Sequence, residues 1–151
     1  MRLRGHDAWS CDLLPSEDDS PFHIKDDIFS IISDQWDLAI LHPPCTYLCS
    51  SGLHWNSRIP GRQERTLAAL DHVRLLWEKS KHIPRCATEN PIGIISTRLR
   101  KPDQIIQPYN FCENASKATC LWLKGLCLLM PTGYVTPRYV NGKPRWKNQT
   151  N

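Results

Sequence analysis

Apolar residues in this chain gather into short runs punctuated by proline, glycine and polar turns. Leu38-Ala39-Ile40-Leu41 has no polar alternation, which predicts a strand covered on both faces in a parallel sheet. Pro43 and Pro44 end that run, because proline continues neither a helix nor an inner strand, and Cys45 follows at the strand's carboxyl end. A second run, Cys86-Ala87-Thr88, lies between Pro84 and Asn90-Pro91 and puts Glu89 at another carboxyl end. From Pro60 to His82, Leu67, Leu70, Val73, Leu76 and Trp77 trace a stripe at helical spacing. The pattern predicts a strand, helix, strand unit.

Signals elsewhere are shorter. Met1 to Gly5 reads as the last turn of a helix stopped by glycine, and Ala8 to Asp12 as a strand. The polar loop Pro15 to Pro21 leads to a brief strand, Phe22-His23-Ile24, and Asp26 to Ser33 reads as a short helix. Ala118 to Leu123 forms another buried strand closed by Gly125, and Leu126 to Met130 is apolar up to Pro131. Beyond Pro137 the apolar pattern fades, so residues 1–136 are expected to form one α/β domain and 137–151 an extended or mobile tail.

Composition narrows the class without naming it. The 151 residues with 40% apolar content suit one domain with a core, and a formal charge of +4 is compatible with phosphate contact but does not by itself argue for nucleic acid. Seven cysteines, an odd number with no Cys-x-x-Cys pair, give little support to a disulfide framework or a zinc site. With no apolar stretch near the ~18 residues of a membrane span, the expectation is a cytoplasmic protein without metal or membrane contact.

The chemistry follows from the two strand ends. Ligands in open α/β sheets sit outside the carboxyl ends of strands, so Cys45 is a candidate nucleophile and Glu89 a candidate acid facing one crevice. A small residue filling a loop is the plainer alternative for Cys45, and His42 is as readily structural as catalytic.

Pro43-Pro44-Cys45 and Glu89-Asn90 resemble the Pro-Cys turn and Glu-Asn pair of cytosine-5 DNA methyltransferases, and more closely the compact phage and prophage proteins of that kind. The resemblance covers roughly residues 6 to 125. It implies a Rossmann-like methyltransferase core with a mostly parallel sheet, here lacking the first strand, in a bacterial or phage-infected cell. It implies DNA as partner and S-adenosylmethionine as methyl donor, with Cys45 adding to cytosine C6 and Glu89 acting at N3. Asp12, Asp27, Ile28 and Pro43 take the cofactor-side positions, and Pro44, Asn90, Lys117 and Thr119 those near the base. Pro91 stands where the family has valine, and Lys117 and Thr119 where it has arginines. The family's Gly-rich cofactor turn has no counterpart, so the expectation is weak S-adenosylmethionine binding by this chain alone, with a second chain completing the site as one alternative. A non-catalytic nucleic-acid-binding role and a base reaction needing no methyl donor are the competing readings.

Overall fold

The computed structural model describes residues 4–149. Most of the helix turn expected at Met1 to Gly5 and the last two residues of the tail lie outside them; Gly5 itself has φ +83°.

Among the described residues three small sheets hold the strands. β1 (Ser10–Asp12) and β2 (His23–Lys25) form a parallel pair. A four-stranded sheet has the order β3 (Leu38–Leu41), β4 (Arg85–Pro91), β6 (Thr119–Lys124), β5 (Gln104–Ile106). β7 (Arg138–Val140) and β8 (Lys143–Arg145) form an antiparallel hairpin. The helices are α1 (Ile28–Ile31), α2 (Ser50–Leu53), α3 (Arg62–Lys79) and α4 (Ile95–Arg98).

This architecture corrects the expectation of a Rossmann-like, mostly parallel sheet lacking only its first strand. In the four-stranded sheet β3–β4 is the one parallel pairing, while β6 runs antiparallel to both of its neighbours, β4 and β5. The physical reason lies in the connections. A parallel pair requires a crossover, usually through a helix of a dozen or more residues. Only α3, with 18 residues, is long enough, and it joins β3 to β4. Between β5 and β6 there is no α-helix among the described residues, and β6 returns antiparallel beside β5 and enters the sheet next to β4.

The core lies between α3 and one face of this sheet. Leu70, Val73 and Leu76 are buried, as the stripe predicts, and pack among Leu48, Ile95, Cys120 and Trp122 or beside Ile32, Leu41, Ile83 and Cys86. Leu67 departs from the stripe and is exposed; Thr66 is buried instead, exchanging hydrogen bonds with Asn56 at 3.0 and 3.3 Å. Trp77 reaches the sheet through Nε1, which donates to Thr88 Oγ1 at 2.9 Å. β3 also differs from its expectation. It is an edge strand, with Leu38 37% and Ile40 46% exposed and Leu41 buried, because β4 is its sole ladder partner.

Within the segment from Pro137 onward the β7–β8 hairpin leads to Trp146, whose ring stacks on Tyr109 at 4.3 Å and is 8% exposed. Its Nε1 donates to the Val135 carbonyl at 3.2 Å.

Candidate active site

The parallel register of β3 and β4 sets the geometry. Leu41 pairs with Thr88, so the residues that follow, His42 and Pro43, run alongside Glu89 and Asn90. His42 Nδ1 lies 3.3 Å from Glu89 Oε2, and Asn90 Nδ2 donates to the Pro43 carbonyl at 2.7 Å. Alternation along β4 separates the two roles: Cys86, Thr88 and Asn90 are buried on the face toward α3, whereas Glu89, on the other face, is half-buried. Asn90 is therefore a structural clamp at 1% exposure, and its Oδ1 has no partner among the described residues.

Cys45 sits on the turn beyond this clamp and is exposed. Its carbonyl accepts from Leu48 N at 2.9 Å and Cys49 N at 3.0 Å, which closes the turn. Leu48 then anchors it in the core at 1% exposure. The far side is tied to the segment after β4, where Ile94 N donates to Leu48 O at 2.8 Å and Ser50 N to Ile92 O at 2.9 Å. A Cβ on Gly93 would overlap the Leu48 carbonyl, so this approach requires glycine.

The middle of the turn is held by α3. Arg62 Nη2 donates to the Thr46 carbonyl at 3.1 Å while its guanidinium lies 4.9 Å from the Tyr47 ring, and Arg65 Nη1 donates to Tyr47 Oη at 3.3 Å. Gly52 leaves room for it, since a Cβ there would come within 3.0 Å of Arg62 Nη2. Tyr47, Gly52, Arg62 and Gly93 support the Cys45 turn, and sequence reasoning passed over them.

The remaining predicted residues are dispersed. Asp12 ends β1, where Oδ1 accepts from Leu14 N at 2.9 Å, and Asp27 caps α1 by accepting from Phe29 N at 2.9 Å. Ile28 lines a cavity of about 280 Å³ bounded by β1, α1, Trp36 and β3. Pro43 is buried and Pro44 exposed. Thr119 is buried at 8% in β6 with its hydroxyl donated to the Lys117 carbonyl at 3.2 Å; Lys117 itself is exposed. The structure thus brings together His42, Pro43, Glu89 and Asn90, with Cys45 two residues beyond Pro43 on the turn; Asp12 and Asp27 adjoin Cys11 and Ile28, which line one cavity with His42.

That cavity tests the fit of the implied cofactor. S-adenosylmethionine carries a sulfonium, an ammonium and a ribose diol, which call for carboxylates or well-placed acceptors. Neither Asp12 nor Asp27 lines the cavity; its polar side chains are Ser10, Cys11 and His42. The side chains that line this cavity offer no carboxylate to the cofactor.

Among the cysteines, Cys86 and Cys120 are buried, and burial pushes both thiols above their ordinary range; the same cause acts on the half-buried Cys11. Cys45 is open to solvent. Among the described residues there is no cluster of three metal-ligating side chains, and no helix is long and apolar enough to cross a membrane. Comparison with protein-family models, with characterised proteins and with solved structures finds no match.

Proposed function

We propose that the chain is a DNA (cytosine-5)-methyltransferase-like protein whose base-activating chemistry is carried by Cys45 and Glu89. The observation that supports this reading is the parallel register of β3 and β4, which puts an exposed thiol on the turn after β3, held at Pro43 by Asn90, and a half-buried carboxyl in contact with His42 at the end of β4. In this reading the Cys45 thiolate forms a bond to cytosine C6 and Glu89 delivers a proton to N3. The electron pair displaced from the C5–C6 double bond then makes C5 nucleophilic without leaving charge on the ring. His42 orients the Glu89 carboxyl through the 3.3 Å contact. S-adenosylmethionine would supply the methyl group in this family, but the cavity lining does not accommodate it, so the donor site requires further residues or a second chain.

That misfit favours one second reading, a protein that holds a base or strand without transferring a methyl group. A DNA strand carrying 2-pyrimidinone in place of cytosine separates the two, because this ring accepts a thiolate at C6 with no methyl donor present. The proposal expects an adduct of protein plus DNA mass, mapped to Cys45 and lost in Cys45→Ser. Adduct formation that persists in Cys45→Ser, or no adduct with a strand that binds, removes the catalytic reading.

A further inference from the structure

We propose that the surface between the Cys45 turn and the start of α3 binds DNA as an unpaired strand, through Trp55, Tyr47 and three arginines. The inference deepens the Cys45 reading by assigning the form of its substrate, and it stands on separate side chains.

Two aromatic rings on this surface each carry a guanidinium. Arg58 lies 5.5 Å from the Trp55 ring and Arg62 lies 4.9 Å from the Tyr47 ring, with Arg65 on the Tyr47 hydroxyl. Trp55 is 42% exposed and sits in the short 3-10 turn His54–Ser57 that leads into α3. Its other neighbour is the His54 ring at 4.8 Å.

Some of the chain's cations are neutralised by a carboxylate and others are not. Arg74, Lys81 and Arg100 each pair with a carboxylate, at 2.5, 2.6 and 2.8 Å. Arg58, Arg62 and Arg65 have no carboxylate partner among the described residues, although Glu64 lies on the same first turn of α3. Three arginines within eight residues outnumber the single carboxylate of Glu64 and leave a net positive strip joined through Arg62 to the turn that carries Cys45.

Form follows from the aromatic faces. In a duplex the faces of the bases are stacked on one another, so an exposed ring can meet only edges and sugars. In an unpaired strand each base offers a face, and stacking on aromatic rings and guanidinium planes together with phosphate contacts is the general mode of single-strand binding. A cytosine that reaches Cys45 has to be out of its stack in any case. A strand already unpaired avoids the cost of extruding it.

The test is fluorescence anisotropy with a labelled DNA strand of about 12 nucleotides and with the same sequence as a duplex, across a series of salt concentrations. The full chain is used, together with Cys45→Ser so that covalent trapping does not enter. The single strand is expected to bind at least tenfold more tightly than the duplex, and Trp55→Ala to weaken it about tenfold, with recovery in Trp55→Phe. Arg58→Ala should lower the slope of log affinity against log salt by about 0.7. Unchanged urea midpoints would show that the variants are folded. Equal or tighter duplex binding, or a Trp55→Ala protein that binds as the parent does, overturns the proposal. The surface is scored by strand binding and the chemistry by the adduct at Cys45, so failure of one is distinguishable from failure of the other.

Discussion

Replacing Gly93 with alanine should unseat the turn that carries Cys45. The new Cβ would overlap the Leu48 carbonyl and come within 2.8 Å of Cys49 Cα, both backbone atoms that no rotamer change can move. Relief requires the strap after β4 to separate from the turn, which breaks Ile94 N to Leu48 O and Ser50 N to Ile92 O. Each such bond contributes about 1 kcal/mol net. Leu48, 1% exposed, would lose part of a burial worth about 1.5–3 kcal/mol. The sum is about 3–4 kcal/mol, a large share of the roughly 5–15 kcal/mol that holds a domain folded. At about 2–4 °C per kcal/mol for a chain of this size, the melting temperature should fall by roughly 6–16 °C. Urea unfolding gives the free energy, and amide exchange at Ser50 and Ile94 should accelerate beyond the global change. A loss under about 1 kcal/mol with Ile94 still protected would refute the clamp. Gly142→Ala is a suitable contrast, since its Cβ meets nothing within 4 Å and only the positive φ of 72° is penalised, at about 1–2 kcal/mol.

Further outcomes follow from other parts of the fold. Iodoacetamide under native conditions should label Cys45 while Cys86 and Cys120 stay unmodified until the protein is unfolded; peptide mass mapping that finds Cys86 labelled as fast as Cys45 would contradict the burial described here. Trp77→Phe leaves the buried Thr88 hydroxyl without its donor and should cost about 1–3 kcal/mol in urea unfolding, against nearly nothing if that bond is dispensable. The Arg100 hydrogen bonds hold the Asp103 carboxyl below its usual range, helped by the Leu123 amide. Its contribution is thus present above the unfolded value near ~3.9 and disappears as pH drops through the lower folded value. The pair is partly exposed, so Asp103→Asn should flatten the acid limb of stability against pH by at most about 1 kcal/mol; an unchanged limb would show that the pair contributes nothing.

Local periodicity made the site more legible than the fold. The Pro-Pro-Cys turn, the helix over most of Pro60 to His82, and the strand holding Glu89 all follow from breakers and apolar spacing within a few residues, and α3 and β4 occupy those positions. Sheet direction does not follow from such signals. Ala118 to Leu123 reads as a strand in either direction, and Gln104-Ile105-Ile106 is not among the strands read from the sequence; the connection from β5, which holds no α-helix, is what returns β6 antiparallel. The apolar run Leu38 to Leu41 implied cover on both faces, yet apolar composition cannot tell an inner strand from an edge with one open side. Asp12 and Asp27 show a related limit. Aspartate after a strand and before a helix is also what turns and caps require, and the structure uses both carboxylates in that way. Arg62 was hidden for the opposite reason, because a surface-type residue at a helix start gives no sequence sign that its guanidinium reaches back to Thr46.

The central claim is that Cys45 adds to a pyrimidine ring with Glu89 as its acid, and hydrogen exchange at cytosine C5 tests it without any methyl donor. Addition at C6 makes C5 basic enough to take a deuteron from D₂O. Loss of the original C5 proton and departure of the thiolate then return cytosine one mass unit heavier. Incubation of a cytosine-containing single strand with the protein in D₂O, followed by mass analysis of the nucleosides, should show deuterium at C5. The exchange should disappear with Cys45→Ser, and Glu89→Gln should slow it by about 10²- to 10⁴-fold. No exchange on a strand shown to be bound, or exchange that survives Cys45→Ser, would contradict the account.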